Sequence, residues 1–483
     1  MSHRHSSDPS ALLRSALGVI AEYSPEVLDL GRKFTDAGYE LALVGGPVRD
    51  AFLGRLSSDL DFATDAPPEE TEKILAAWTT THWDIGRDFG TIGAKKGETV
   101  VEVTTYRTES YDPTTRKPEV AYGDTLEGDL SRRDFTVNAM AIRVPDLVFV
   151  DPFNGLEGLA SKTLDTPVTA VQSFDDDPLR IMRAARFAAQ LDFAVSQRVL
   201  EAMSDMADRL TIVSAERIRD EFVKLMESNN PRTGLELMVH TGVADAVLPE
   251  LPGMQLTIDE HHRHKDVYEH SLTVLDQAIA LETGPEGPVP APDLILRLSA
   301  LLHDIGKPAT RRHEPGGGVS FHHHEVVGAK MATKRMRAMR FDKATIKAVS
   351  KLVALHLRFH GYGESKWTDA AVRRYVTDAG DQLERLHRLT RADCTTRNKR
   401  KAARLAHAYD DLEQRINELA KEEELKAIRP DLDGNEIMEI LGLKPGKDVG
   451  AAYKHMLAFR MEHGPTSREE AAAELQRWWQ SRT

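Results

Sequence analysis

The chain has a single cysteine, Cys394, in 483 residues. One thiol cannot form an internal disulfide, so a disulfide-stapled secreted scaffold is excluded and a reducing cytosol suits the chain. Cys394 is expected to be a small packing residue, not a nucleophile. No run reaches the roughly 20 apolar residues that cross a bilayer, so no membrane partner is expected. The opening Met1 to Ser10 is polar. It lacks the apolar stretch of a signal peptide, and a cytoplasmic location is expected. No internal repeat of fixed period occurs. Positive charge is also short: 63 Lys and Arg against 76 Asp and Glu leave −13. The overall field therefore repels a polyanion, but local patches set the field a ligand meets. Residues 330–347 carry Lys330, Lys334, Arg335, Arg337, Arg340, Lys343 and Lys347 against Asp342. Residues 385–404 carry Arg385, Arg388, Arg391, Arg397, Lys399, Arg400, Lys401 and Arg404 against Asp393. Each patch is either a polyanion contact or a solvated helix face.

What is present is ordinary globular composition, 41% hydrophobic and 29% charged, in a length that predicts about three domains. Apolar spacing at Leu12, Leu13, Leu17, Ile20, Val27, Leu28 and Phe34 predicts a helix over 10–38. Strand patterns follow at 41–45, 59–63, 91–95, 100–105, 139–143 and 147–150. The polar stretch from Thr108 to Leu130, with Pro113, Pro118 and Gly123, reads as a mobile loop. Beyond Asp151 helical periodicity dominates, over 175–245, 265–283, 293–303, 322–340, 343–357, 369–378 and 400–425. The expected class is α+β: an N-terminal head with a small mixed sheet, then largely all-α domains.

The densest chemistry lies in Leu43-Val44-Gly45-Gly46-Pro47-Val48-Arg49-Asp50, followed by Ser58-Asp59-Leu60-Asp61-Phe62. Residues i and i+2 of a strand share a face, so Asp59 and Asp61 project together. Two hard carboxylates on one face suit Mg²⁺. Gly45 and Gly46 let backbone N–H groups approach a phosphate. Arg49 follows on the helix these glycines open, either facing a triphosphate or pairing with Asp50. Glu102, in Val101-Glu102-Val103-Thr104-Thr105, is either a third metal carboxylate or an edge-strand surface residue. Together these residues are equipment for two-metal phosphoryl or nucleotidyl transfer.

Three further strings follow in order. They are Ser131-Arg132-Arg133-Asp134-Phe135-Thr136-Val137-Asn138-Ala139-Met140-Ala141, Asp176-Asp177-Pro178-Leu179-Arg180-Ile181-Met182-Arg183-Ala184-Ala185-Arg186-Phe187-Ala188, and Ala215-Glu216-Arg217-Ile218-Arg219-Asp220-Glu221-Phe222. With the first two motifs they resemble the class II tRNA nucleotidyltransferases, the CCA-adding enzymes, and the related bacterial poly(A) polymerases. The resemblance is dense over about residues 40–230 and looser to the C-terminus. It implies a nucleotidyltransferase head (1–155), a helical neck (156–255), a third domain (256–400) and a tRNA-binding tail (401–483), with CTP, ATP and tRNA as partners. It places Arg133 and Asp134 near the ribose of the incoming nucleotide, although Asp134 also suits a helix N-cap. It makes Asp177 and Arg180 a protein template for the base edge. The carboxylate accepts from the amine of C or A, the guanidinium donates beside it, and U and G offer a carbonyl that a carboxylate repels. Three residues apart, the two would share a helix face, and a plain ion pair is the other reading. Arg183 and Arg186 continue the stripe. The family's usual Glu-Asp is here Asp176-Asp177, which moves one carboxylate by a methylene.

His270, His303-Asp304, His324, His356 and Asp393 recur in an order that resembles the HD superfamily of metal-dependent phosphohydrolases. Imidazole and carboxylate ligands from packed helices suit a divalent transition metal (Mn²⁺, Fe²⁺ or Ni²⁺) or Mg²⁺ that activates water. His261, His262, His264, His322 and His323 read as loop residues nearby. The tail strings Asp431-Leu432-Asp433-Gly434-Asn435-Glu436-Ile437 and Leu443-Lys444-Pro445-Gly446-Lys447-Asp448-Val449-Gly450 do not fit a Ca²⁺ loop, because the glycine is early and the distal Glu is absent. They resemble the family's tRNA-contacting tail. The expected function is template-independent addition of CCA to tRNA, with poly(A) synthesis or partial CC or A addition as the alternative. A second alternative is a phosphohydrolase whose transferase-like half only binds RNA.

Overall fold

The computed structural model describes residues 9–23, 25–55, 59–84, 90–110, 119–122, 125–255, 266–315, 318–362, 367–396, 398–423 and 428–482. The chain divides into two compact units, Met1–Val247 and Leu248–Thr483.

In the first unit, α1 (Pro9–Tyr23) and α2 (Pro25–Asp36) replace the single helix expected over 10–38. Pro25 explains the split: it lacks an N–H and restricts the residue before it, so it starts a helix but cannot continue one. Then come β1 (Leu41–Val44), α3 (Gly46–Phe52), β2 (Asp59–Thr64), α4 (Pro68–Trp78), β3 (Thr81–Trp83), β4 (Thr91–Lys96) and β5 (Thr99–Thr105). The stretch expected as a mobile loop instead holds a hairpin, β6 (Arg107–Ser110) against β7 (Glu119–Tyr122), and α5 (Leu126–Ser131). β8 (Ala141–Val144) and β9 (Val148–Val150) close the head. The seven-stranded sheet runs β3-β4-β5-β2-β1-β8-β9. β2 and β5 are parallel, and the other pairs are antiparallel. β1 is central and buried throughout, as expected of a strand covered on both faces. On one face Ala42, Val44 and Ala63 pack with Tyr106, Leu126, Leu130, Ala139 and Ala141. Thus α5 covers one half of the face that carries Asp59 and Asp61, and leaves the carboxylate end open.

The neck contains α6 (Gly155–Ser161), the short parallel pair β10 (Thr163–Leu164) and β11 (Ala194–Val195), α7 (Ala170–Asp176), α8 (Leu179–Leu191), α9 (Gln197–Asp205), α10 (Ala215–Met226), α11 (Pro231–His240) and α12 (Val243–Val247). α8 is nearly all buried. Its small Ala185 lets α11 cross so closely that a Cβ at Gly234 would stand 2.7 Å from the Ala185 carbonyl oxygen.

The second unit is helical apart from the hairpin β12 (Arg312–His313) and β13 (Val319–Ser320). It contains α13 (Val267–Ala280), α14 (Leu294–Leu302), α15 (Lys307–Thr310), α16 (His324–Ala338), α17 (Lys343–Leu355), α18 (Asp369–Ala379), α19 (Leu383–Ala392) and α20 (Lys399–Glu423). The tail helices are α21 (Gly434–Leu441), α22 (Lys447–His463) and α23 (Arg468–Gln480). They share a small core of Leu432, Ile437, Ala452, Met456, Ala471 and Leu475. Within the tail's acidic string, Asp433 caps α21 in a capping box with Glu436, and Asp431 binds Arg460 at 2.8 Å. No helix among the described residues is long and apolar enough to cross a membrane.

Candidate active site and metal centre

Parallel pairing sets Asp61 directly opposite Glu102, and Asp59 opposite Val100 two residues before it. Asp59, Asp61 and Glu102 therefore stand on one face, and all three are exposed. The surroundings of Asp61 push its carboxyl up: burial by nearby atoms is the largest cause, Arg133 opposes it, and Glu102 and Asp59 add to it. Crowded hard oxygen donors that repel one another are the donor set Mg²⁺ takes, so the residues present fit that ion.

Gly45 turns the chain from β1 into α3 at φ +73°. A Cβ there would lie 2.8 Å from Nη1 of Arg133, so glycine is required both by the backbone and by the guanidinium above it. Buried Asp129, on α5, holds both arginines of the Arg132-Arg133 string, at 2.9 Å and 3.3 Å. Burial raises the Asp129 carboxyl, but Arg133 and Arg132 overcome that and hold it low. Arg133 Nε is buried without a hydrogen-bond partner. Arg49 pairs with Asp50 at 3.0 Å and also donates to Asn138 Oδ1 at 2.8 Å, so its predicted ion pair exists while Asn138 aims it.

Asp134 is buried. It accepts from Phe135 N at 2.7 Å and Asn138 Nδ2 at 3.0 Å, and it pairs with Arg183 at 2.6 Å. Phe187 lies beneath three guanidiniums, those of Arg186 at 4.0 Å, Arg49 at 5.3 Å and Arg183 at 5.7 Å. Such stacking favours cations over an aromatic face. Arg186 itself is bound to Glu221 at 2.5 Å.

Asp177 and Arg180 do not sit on one helix. Asp177 is the extended residue between α7 and α8, at φ −143° and ψ 99°, because Pro178 bars its predecessor from the helical region. Its carboxylate accepts from Leu179 N at 3.1 Å and faces Arg217 at 3.4 Å. Arg180 is buried. It donates to Ser173 Oγ at 2.9 Å and to the carbonyl of Arg132. The two therefore share no helix face and form no direct ion pair. Their backbones are joined, Arg180 N to Asp177 O, at 3.0 Å.

In the second unit His270 comes from α13, His303-Asp304 from the end of α14, His324 from α16, His356 from the end of α17 and Asp393 from the end of α19. His270 Nε2 lies 2.9 Å from Asp393 Oδ1 and 3.5 Å from Asp304 Oδ2. His303 Nε2 lies 3.2 Å from Asp304 Oδ2. On the other carboxylate oxygen, Asp304 Oδ1 faces His324 at 3.2 Å and His356 at 3.8 Å. Asp304 thus bridges two ligand groups, His270–His303–Asp304 and Asp304–His324–His356. Three imidazoles are oriented alike: Nδ1 of His303, His324 and His356 meets the carbonyl three residues earlier, at 2.8, 2.8 and 2.7 Å. That bond directs Nε2 to the centre, the usual arrangement of a ligating histidine. The Nε2 atoms of His324 and His356 and Oδ2 of Asp304 are buried and make no well-formed hydrogen bond. His356 Nε2 stands 3.8 Å from the nearest carboxylate oxygen, and a divalent cation fits among these converging imidazole and carboxylate atoms. Burial alone would lower His303, but Asp304 and Asp393 hold it up at about 10. Burial and the neighbouring His303 push His356 down to about 3. The helices can approach because Gly306 has no side chain: a Cβ there would meet the His324 carbonyl oxygen at 2.2 Å.

His322 and His323 are exposed beside this centre, whereas His261, His262 and His264 lie outside the described residues. Cys394 follows Asp393 and is half-buried, and burial raises its thiol.

Sequence reasoning missed Asp129, Asn138, Ser173, Arg217, Lys307 and Thr395. Two of these carried a readable signal: Asp129 stands four residues before Arg133, and Asn138 four after Asp134. Lys307 lies 2.9 Å from Asp304 Oδ2, and Thr395 Oγ1 lies 3.2 Å from His270 Nδ1.

Three family profiles match in series: "Poly A polymerase head domain" over residues 41–165, "Probable RNA and SrmB-binding site of polymerase A" over 192–254, and "HD domain" over 267–398. The chain is 33% identical over 445 residues to an A-adding tRNA nucleotidyltransferase of Deinococcus radiodurans, covering 90% of this chain and 95% of that one. It is 40% identical over 235 residues to a CCA-adding enzyme of Streptococcus sanguinis, covering 48% of this chain and 57% of that enzyme. The fold is similar to that of the Bacillus stearothermophilus CCA-adding enzyme solved with CTP, at a TM-score of 0.66 and 22% identity over 98% of each chain.

Proposed function

This chain belongs to the tRNA nucleotidyltransferase family, and from that premise we propose that it adds CCA to the 3′ end of tRNA from CTP and ATP. The observation that carries this reading is the shelf of Asp59, Asp61 and Glu102 beside Arg133 and Gly45. Mg²⁺ held by those carboxylates would activate the primer's 3′-hydroxyl and neutralise the departing pyrophosphate.

The rest falls to the protein's own groups. Arg133, braced by Asp129, donates to triphosphate oxygens that come close over Gly45. Arg49, aimed by Asn138, adds a second guanidinium. The Asp134–Arg183 pair borders the ribose, where a carboxylate oxygen can accept from a 2′-hydroxyl. Asp177 reads the base amine, and Arg180 donates beside it. Ser173 and the Arg132 carbonyl hold Arg180 still, so the pair is rigid before the nucleotide arrives. A rigid polar edge excludes U and G because the wrong base leaves buried polar groups unpaired. Arg186, engaged with Glu221, supports the Phe187 platform and does not itself meet the nucleotide.

The second centre is proposed as a phosphohydrolase. A divalent transition metal or Mg²⁺ on His270, His303, Asp304 and Asp393 would activate water for attack on a phosphoester, with His324 and His356 serving a second ion or the substrate. A cytoplasmic location, where tRNA matures, fits both activities.

One observation favours a second reading, partial addition: two relatives matched over 90% of this chain are named for it, one as A-adding and one as CC-adding. Incubating the protein with tRNA lacking its 3′ end, with each NTP alone and then CTP with ATP, separates the readings. CCA addition needs CTP first and ends three nucleotides longer. An A-adding enzyme extends only tRNA already ending in CC, and a poly(A) polymerase makes long tails from ATP alone. A CC-adding enzyme stops two nucleotides longer with CTP alone, and failure to add CTP to tRNA lacking its 3′ end together with failure to add ATP to tRNA ending in CC overturns the assignment.

A further inference from the structure

The two basic runs of the sequence are used only in part by the fold, and Lys399, Arg400, Lys401 and Arg404 at the end of the later run stay exposed on α20. In the later one, Arg385 binds Asp293 at 2.8 Å, Arg388 binds Glu384 at 2.9 Å, and Arg391 binds Asp410 and Glu413 at 2.8 and 2.9 Å. Those arginines are spent on the fold. In the earlier run Lys330, Lys334 and Arg337 are exposed on α16, and Lys343 and Lys347 on α17. Among the described residues no carboxylate pairs with any of these five. Of the run's own partners, Arg335 is taken by Glu250 at 2.8 Å. Asp342, the sole acid, caps α17 by accepting from Ala344 N and Thr345 N, both at 2.9 Å.

The five cations form a surface. On α16 the spacing 330/334/337 makes a stripe opposite the buried Gly328, Ala329, Ala332 and Met336. On α17 the spacing 343/347 lies opposite the buried Val349, Leu352 and Val353. The helices are adjacent: Ser350 Oγ donates to the Ala329 carbonyl at 3.3 Å, and a Cβ at Gly328 would stand 3.4 Å from Val353. Like charges at i,i+4, as in Lys330/Lys334 and Lys343/Lys347, repel and weaken an isolated helix. Among the described residues no carboxylate neutralises them, in a chain whose net charge is −13.

We propose that the outward face of α16 and α17 is a docking surface for the phosphate backbone of tRNA. The proposal rests on the tRNA reading above and extends it to residues outside the head and neck. Compact ammonium groups on mobile stems bind phosphate as point charges without reading sequence. The surface therefore adds affinity common to all tRNAs and leaves base choice to the head.

The test is the full-length protein with Lys330→Gln, Lys334→Gln, Lys343→Gln and Lys347→Gln combined, beside Lys33→Gln as a surface control. Binding to tRNA lacking its 3′ end is measured across a salt series. Each lost phosphate contact should reduce the slope of log affinity against log salt by about 0.9. The fourfold variant should lose about 2–4 in slope and about tenfold or more in affinity at low salt. Its KM for tRNA should rise while KM for CTP and kcat stay as in the wild type. A fourfold variant with unchanged slope, whatever its affinity, overturns the proposal while the tRNA reading stands. A wild-type protein that binds no tRNA overturns both.

Discussion

The guanidinium of Arg133 fills the space above Gly45, with Nη1 2.8 Å from where a Cβ at position 45 would stand. Sequence order puts the two 88 residues apart. Helix α5 brings them together by covering one half of the carboxylate face and ending at Ser131, just before Arg133.

From this contact, Gly45→Ala should displace Arg133 and strain a backbone held at φ +73° and ψ −136°, at about 1–3 kcal/mol for the backbone alone. Catalytic efficiency with CTP should fall by about 10²-fold through loss of a charge-directed donor, while tRNA binding is retained. Steady-state kinetics with a binding assay checks this. An unchanged kcat/KM for CTP would separate Arg133 from the triphosphate.

Asp129 links the same site to stability. Its carboxyl is held low against burial by Arg133 and Arg132. Its stabilising contribution is therefore present above the ordinary carboxylate range and lost as pH falls through that range and below it. Asp129→Asn should lower stability at pH 7 by on the order of 3 kcal/mol. Denaturant unfolding should show the gap to wild type closing in acid. A gap of equal size at neutral and acid pH contradicts the assignment.

Asp177→Ala should loosen base choice more than it weakens triphosphate binding. Arg180→Ala should do the same and also lower the melting temperature, because Arg180 ties α8 to Ser173 and to the Arg132 carbonyl. Competition of UTP and GTP against CTP measures the first effect. Unchanged exclusion of both wrong nucleotides would remove the pair from base reading.

His303→Ala with Asp304→Ala should empty the second centre, because Asp304 belongs to both ligand groups. Elemental analysis should find a divalent metal in wild type and none in the variant. Hydrolysis of a phosphomonoester or a 2′,3′-cyclic phosphate should vanish, and CTP and ATP incorporation should be largely kept. Wild-type protein purified without metal contradicts the reading of this cluster.

These sites were legible to different depths. The carboxylates could be read because strand periodicity alone puts Asp59 and Asp61 on one face, and the metal cluster could be read because histidines and an aspartate recur in order around the His303-Asp304 pair that closes the apolar α14. Three-dimensional pairing decided the rest. Glu102 became the neighbour of Asp61 only through parallel pairing of β2 and β5, which no local pattern states. The Thr108–Leu130 stretch looked like a loop because its strands are short and polar, so they lack the alternation that marks a half-buried strand. The three-residue spacing of Asp177 and Arg180 suggests one helix face, but Pro178 keeps its predecessor out of the helical region, and that local restriction outweighs the spacing. Pro25 broke the first helix for a related reason.

The central claim is that Asp59 and Asp61 carry nucleotide transfer. The most direct measurement is incorporation of labelled CTP into tRNA lacking its 3′ end, with Mg²⁺ present, by Asp59→Ala and Asp61→Ala. Both variants should retain tRNA binding and lose incorporation by about 10³-fold or more, as removal of a metal-holding group worth several kcal/mol requires. Incorporation near the wild-type rate by either variant would contradict the account.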